Sequence, residues 1–290
     1  MPSAVDRATR AADDLSARMR PRLGRFGRPI RDALIIVGIA RAVVYFVVQG
    51  IRPWDFPGVD ARAYWGIDLA HPYAESGVGV VSTYLYSPPF AQIMAPFSLL
   101  PFPVFFALWT ALNLAILVWL VRPWPWAVPM LILPITYELL VGNVHFLITA
   151  AIVVALGRPA AWVLPILTKI TPGIGGLWHA IRGDWRGVVE IGGLVLAIVV
   201  VSYLVNPTAW VDWIALLTTN AERGELLIPR VVIGAVMVAI GALTGRRWLV
   251  PVAVWLALPV VWINAWVVLL ATIRLRHPVP APHGSQVAAR

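Results

Sequence analysis

The chain has no cysteine, a single lysine and 14 acidic residues in 290, and only 13% of its positions carry a charge. Without cysteine there is no disulfide frame, no thiolate nucleophile and no Cys-ligated metal. So little charge excludes an ordinary soluble domain, in which about 25% of residues are charged and roughly 45–50% apolar. Here 60% are apolar, and the solvent for most of the chain is lipid. No inverted repeat is visible along it. The net charge of +9 does not point to nucleic acid, because the arginines gather in the tails and in short loops beside apolar stretches, where membrane topology accounts for them.

Apolar stretches at 32–51, 88–121, 124–140, 144–157, 160–181, 187–205, 227–244 and 248–273 mostly reach the length of about 20 residues that a helix needs to span a bilayer. Lipid cannot satisfy open backbone groups, so each is expected to be helical. The stretch 88–121 is too long for one straight span and carries Pro101 and Pro103, which predicts two helical pieces. The fold class that follows is all-α, a polytopic transmembrane bundle of about eight to ten helices. The organisation expected is an arginine-rich cytosolic tail over 1–31, a membrane domain over 32–273 and a cytosolic tail over 274–290. The first stretch lacks a clear small-x-small cleavage site before Arg52 and reads as an uncleaved anchor. Arg7, Arg10, Arg18, Arg20, Arg22, Arg25, Arg28 and Arg31 precede it, which puts the N-terminus in the cytosol and the loop 52–87 outside. Arg122, Arg158, Arg182, Arg186, Arg246 and Arg247 all fall on the cytosolic side if 160–181 turns back within the membrane, with Thr171-Pro172-Gly173 as the break. A rival trace lets 160–181 cross once and leaves Arg122 and Arg158 outside. Tryptophans such as Trp54, Trp124, Trp126, Trp185, Trp210 and Trp248 sit near segment ends, as interfacial belts do.

In the outer loop, helical spacing over Gly58-Val59-Asp60-Ala61-Arg62-Ala63-Tyr64-Trp65 puts Asp60, Tyr64 and Asp68 on one face and Trp65 and Leu69 on another, the pattern of an amphipathic surface helix. Asp60 after Pro57-Gly58 is either the N-cap of that helix or a carboxylate placed to take a proton. Tyr84-Leu85-Tyr86-Ser87-Pro88-Pro89 marks a helix start, since paired prolines suit a first turn. Gly142-Asn143-Val144-His145 is a tight turn between apolar stretches. Lys169, alone among 22 arginines, lies deep in an apolar stretch, where a charge costs about 2.5–3.5 kcal/mol and usually faces a cavity or a partner. It either snorkels to an interface or meets an anion such as a phosphate. Arg41, Glu138 and Arg230 are also embedded, as structural pairs or snorkelling groups.

In order, Asp60 with Tyr64-Trp65, Tyr86-Ser87-Pro88-Pro89, Gly142-Asn143 and Lys169-Ile170-Thr171-Pro172 resemble glycosyltransferase family 87, of the C-type membrane superfold, over about residues 55–190. Ser87 stands within a motif that in the family tends to read Tyr-Pro-Pro, and Gly142-Asn143-Val144-His145 where it tends to read Gly-Gln-x-Asn. The resemblance implies transfer of a hexose, mannose in the family, from a polyprenyl-phosphate donor to an envelope glycolipid or glycan hydroxyl, with inversion. It implies Asp60 as the catalytic base, Lys169 and His145 at the donor phosphate, and Tyr64, Trp65, Tyr86 and Asn143 lining the sugar or acceptor subsite. No cofactor is implied; no metal cluster is evident, although Asp60 and Asp68 would be the pair to share an ion. The partners implied are the lipid-phosphate donor, the glycan acceptor and membrane lipids, at an outer-face site in the plasma membrane with both termini cytoplasmic. Two other readings suit the same embedded charges: a transporter or flippase for a lipid-linked or anionic solute, and a shortened inactive relative serving as a binding subunit.

The topology is checked by cysteine labelling. Ser76→Cys is expected to react with an impermeant maleimide in intact cells and Ser3→Cys to be protected; the reverse pattern would invert the orientation.

Overall fold

The computed structural model describes residues 27–45, 47, 57–74, 77, 83–219 and 226–276. Most of the two expected tails, together with Trp54, Asp55 and Glu75, lies outside the described residues. Every described residue is helical or irregular, and no strand occurs among them, as a chain solvated by lipid requires. Among the described residues three helices are long and apolar enough to cross a membrane: Phe102–Val121, Trp185–Val205 and Leu227–Thr244. A fourth is added if Ile132–Val141 and His145–Ala155, bent through 111°, count as one span. The other apolar stretches are broken into shorter pieces, so straight helices alone do not reach the eight to ten expected.

In chain order, α1 covers residues 27–45, and the segment after it carries α2 (Val59–Trp65). The stretch 88–121 is two pieces, as its prolines predict: α3 (Pro88–Met94), running into a 3-10 turn, and α4 (Phe102–Val121), which starts after Pro101. Next come α5 (Ala127–Met130), α6 (Ile132–Val141) and α7 (His145–Ala155), then α8 (Val163–Lys169) and α9 (Leu177–Ile181). The helices α10 (Trp185–Val205), α11 (Pro207–Thr219), α12 (Leu227–Thr244) and α13 (Leu249–Leu256) follow. A 3-10 stretch, Ile263–Leu270, leads into α14 (Ala271–Leu275).

The broken pieces form three hairpins. The first is α5–α6 returning as α7, with Gly142 in the left-handed conformation at φ 71°. A Cβ on Gly142 would lie 2.8 Å from the Cβ of Ala61 in α2, so the turn needs glycine both for its backbone and for the close approach of α2. The second is α8 returning through Thr171–Gly176 and α9, with the break at Ile170 (φ 54°). It closes tightly: a Cβ on Gly175 would sit 2.0 Å from Cη2 of the fully buried Trp162, and overpacking of that kind costs about 1–3 kcal/mol. The third is α13 returning through Ile263–Leu270 and α14.

Contacts divide the bundle into two ends. At one end the Arg31 guanidinium lies 5.0 Å from the Trp126 ring, Arg274 Nε donates to the Trp119 carbonyl at 2.9 Å, and Arg182 donates to the Ala242 carbonyl at 3.0 Å. His179 meets the Ala155 carbonyl there at 2.9 Å, and Gly187 abuts Pro159. The links join the ends of α4, α7, α9, α12 and α14 to the starts of α1 and α10, so Arg122, Arg158, Arg182, Arg186, Arg246, Arg247, Arg274 and Arg276 share one end. At the other end, Gly58 N–H donates to the Leu140 carbonyl at 2.7 Å and Asn206 Nδ2 to the Leu69 carbonyl at 2.7 Å. There too Arg230 donates to the Pro259 carbonyl at 3.2 Å, holding the turn of the third hairpin. Residues 159–187 therefore enter and leave at the arginine end, the geometry that the first of the two sequence traces needs, and Lys169 is at the tip of that excursion. Arg41, the remaining embedded cation, sits 6.0 Å from the Trp266 ring.

Because 159–187 is a hairpin, Arg158→Cys and Arg186→Cys are expected to react with an impermeant thiol reagent from the same side of sealed vesicles. Reaction from opposite sides would replace the hairpin with a crossing.

Candidate active site

The tips of the hairpins carry a cluster of polar residues, and α2 lies over them. Asp60 is not the N-cap of α2. That position belongs to Gly58 at φ 75°, and no side chain caps the helix. Asp60 sits in the first turn, and its Oδ2 accepts Nδ2 of Asn143 at 2.6 Å. The Asn143 amide can face only one way, because its Oδ1 accepts the Val144 N–H at 2.7 Å, which leaves the NH2 for the carboxylate. No other hydrogen bond to the Asp60 carboxylate is found among the described residues.

Tyr64 and Tyr86 are buried, with hydroxyls 2.8 Å apart, and the Tyr86 hydroxyl donates a long bond of 3.4 Å to Asn143 Oδ1. Burial pushes both phenols up from their usual range, so they stay protonated and act as hydrogen-bond donors. Tyr86 is itself clamped. Tyr73 donates to its carbonyl at 2.8 Å, Tyr84 donates to the Ser87 carbonyl at 2.9 Å, and Phe90 packs on its ring at 5.3 Å between centroids. Ser87 Oγ donates to the Leu167 carbonyl, which ties the Tyr86-Ser87-Pro88 turn to the second hairpin.

From that hairpin Lys169 Nζ reaches 3.1 Å from His145 Nε2 and lies 5.5 Å from the centre of the Tyr86 ring, within cation–π range. Snorkelling to an interface is thereby replaced by a contact at the bundle's polar centre. His145 Nδ1 is 3.0 Å from Glu138 Oε2, the His145 backbone N–H donates to Glu138 Oε1 at 2.8 Å, and Asn264 Nδ2 donates to Oε2 at 2.8 Å. Glu138 and His145 are almost completely buried.

Six of the seven residues singled out from the sequence thus come together: Asp60, Tyr64, Tyr86, Asn143, His145 and Lys169. Trp65 does not. Its Nε1 donates to the Leu100 carbonyl at 2.7 Å and its ring packs on Phe102, on the side of α2 that faces the start of α4. Nor does Asp68 continue the face of Asp60, because α2 stops at Trp65 and Asp68 accepts the Ala70 N–H in a turn at 2.9 Å. Asp60 and Asp68 therefore do not share one helix face, as the spacing had suggested; no cluster of three or more potential metal ligands occurs among the described residues. The sequence reading left out Asn264, Tyr73 and Tyr84 and gave Glu138 no place in the site. A polar Asn264 within an apolar stretch was the available signal.

Burial pushes the Asp60 carboxyl above the usual carboxylate range; the Asn143 hydrogen bond opposes the shift, Glu138 adds to it and Lys169 opposes it. Infrared titration of the purified protein is expected to find a carboxyl that Asp60→Asn removes, ionising above the usual value of about 3.9. Asn143→Ala should move it further up, since a hydrogen bond to the charged form is lost. An unmoved titration would separate Asn143 from the carboxylate.

No curated protein and no solved structure matches the chain. The sequence model of Glycosyltransferase family 87 matches residues 84–288, a range that holds Tyr86, Glu138, Asn143, His145, Lys169 and Asn264 and begins after Asp60 and α2. With well over half of its length covered by that match, and membrane-length apolar helices within it, the chain belongs to glycosyltransferase family 87.

Proposed function

We propose that this membrane glycosyltransferase moves a hexose, mannose by the family resemblance, from a polyprenyl-phosphate donor to a hydroxyl of an envelope glycolipid or glycan, with inversion at the anomeric carbon. What carries the reading is the convergence of a carboxylate from the outer segment, Asp60, with a cation at the tip of a hairpin, Lys169, across one asparagine and one tyrosine. In the displacement the acceptor oxygen forms a bond to the anomeric carbon as the bond from that carbon to the phosphate oxygen breaks. Asp60 takes the hydroxyl proton and becomes neutral, and the leaving phosphate gains the negative charge that Asp60 gives up. The site keeps its net charge while one unit moves from the α2 side to the hairpin side, where the Lys169–His145 pair stabilises it. Tyr64, Tyr86 and Asn143 line the sugar or acceptor subsite as hydrogen-bonding groups.

In this reading the arginine-bearing end and both termini are cytosolic, and the site opens to the outer face of the plasma membrane. From Arg158 up α7 to His145 is about 20 Å at 1.5 Å per residue, roughly two-thirds of a hydrocarbon core of about 30 Å. That depth suits a donor whose isoprenoid stays in the lipid while its phosphate sits near the outer headgroups. Broken helices are also a transporter's device. Membership of a glycosyltransferase family and a carboxylate with an open oxygen favour the enzyme.

The test uses membranes containing the protein, radiolabelled polyprenyl-phosphate-mannose and total envelope glycolipids. A labelled product is expected with the wild type. Asp60→Asn should lower turnover by about 10²–10⁴-fold, the range of a general base, with donor binding retained; turnover above a tenth of wild type would remove Asp60 from that role.

A further inference from the structure

We infer that Glu138 is the buried counter-charge that fixes one positive charge on the Lys169–His145 pair, with Asn264 holding the carboxylate in place. The argument is one of donors and acceptors. Glu138 Oε1 accepts the His145 backbone N–H, Oε2 accepts Asn264 Nδ2, and Oε2 also lies 3.0 Å from His145 Nδ1. Two fixed N–H donors already point at its two oxygens and suit an anion there, so in the pairing inferred here the carboxylate is ionised and Nδ1 carries a proton. The contact of 3.1 Å between Nε2 and Nζ then holds one shared proton. Either the ammonium donates to a neutral imidazole or an imidazolium donates to a neutral amine. In both arrangements the pair bears a single positive charge and Glu138 a single negative one, and the unit is neutral as a whole. A unit of this kind survives in a buried, low-dielectric place where an isolated charge would not.

Glutamine at position 138 has the shape but not the charge, and the surroundings accommodate it. Its carbonyl takes the His145 N–H, and its NH2 faces His145 Nδ1 and Asn264. Asn264 can turn its amide, since Oδ1 is buried without a partner among the described residues. Nδ1 then becomes an acceptor, the imidazole proton moves to Nε2, and Lys169 stays in contact only by giving up its charge. Glu138 is in this sense a positioning residue. It touches neither donor nor acceptor, yet it decides whether the tip of the hairpin is a cation. The inference rests on the proposed reaction only for the use of that cation, namely to meet the phosphate.

Two measurements on the full-length purified chain separate the pair from its use. The first is thermal unfolding of the wild type, Glu138→Gln, Lys169→Met and the double variant. Each single change strands a buried charge or forces its neutralisation and is expected to lower Tm by on the order of 10 °C, whereas the double variant should regain most of the loss. A double variant whose loss is the sum of the two, or single variants that melt as the wild type does, would overturn the counter-charge. The second is binding of a polyprenyl phosphate without sugar. Glu138→Gln and Lys169→Met should each weaken it by about 10–100-fold, the range of a lost charge-assisted hydrogen bond, and the double variant no further. Recovery in the melts with no phosphate binding by the wild type would leave the pair standing and sink the glycosyl-phosphate reading. Weakened binding in Lys169→Met with Glu138→Gln like wild type would do the opposite.

Discussion

A helix that breaks inside lipid exposes the first N–H groups of whatever follows, and nothing in the solvent can satisfy them. Here the break between α6 and α7 is closed by two side chains of its own. Glu138, one turn before the end of α6, accepts the His145 N–H, and Asn143 accepts the Val144 N–H. The carboxylate is also placed at the positive end of α7, where the helix dipole favours it. The same two side chains then continue outward, Glu138 to the imidazole and to Asn264, Asn143 to Asp60. The groups that permit the bend and the groups that build the site are one set, and for that reason the site lies at the hairpin tips.

The constraint also explains what the sequence made legible. Helical class, the two-piece nature of 88–121 and the turning point at Thr171-Pro172-Gly173 follow from apolar length and proline position, which act locally. Asp60, Tyr86, Asn143 and Lys169 stood out as polar residues in unusual apolar or helix-start settings, and they meet. What one dimension hid is which stretches are hairpins of half-length pieces rather than single spans, since hydropathy is the same for both. Trp65 was placed in the site by the resemblance, whereas helical spacing set it on a different face from Asp60 and Tyr64. That spacing holds in the fold, where α2 turns Trp65 toward Leu100 and Phe102 instead of the polar centre. Glu138 looked like one more embedded charge, and only its contacts reveal that it ties the first hairpin to the third and, through His145, to Lys169 on the second.

The family match and the geometry divide the site between them. The match begins at residue 84 and covers the hairpin tips with their cation, whereas Asp60 and α2 precede it. What attaches α2 to the matched region is physical: the Gly58 N–H on the Leu140 carbonyl, the close approach of Ala61 to Gly142, and the Tyr64 hydroxyl on Tyr86. Every one of these contacts ends on the first hairpin tip or on the clamped Tyr86 turn. A segment held this way keeps its carboxylate in register with the cation even though the chain between them runs through several helices. In the proposed reaction that register sets the distance over which charge passes from Asp60 to the phosphate.

The identity of the cation then becomes intelligible. Elsewhere this chain uses arginine for positive charge, and several of these rest on carbonyls and rings near helix ends: Arg274 on Trp119, Arg182 on Ala242 and Trp178, Arg230 on Pro259. A guanidinium is always charged and offers only donors. It can bind a carbonyl, but it cannot share a proton with an imidazole whose other nitrogen is committed to a carboxylate. An amine can, because it accepts as readily as it donates once the proton has crossed to the ring. Lysine at the tip of the second hairpin therefore gives the site a positive charge with two resting places, Nζ and the His145 ring, about 3 Å apart. In the proposed reaction a leaving phosphate draws that charge toward Nζ, and when the phosphate departs the charge relaxes toward Glu138. The one position where this chain uses lysine is the one where a fixed charge would have been the wrong tool.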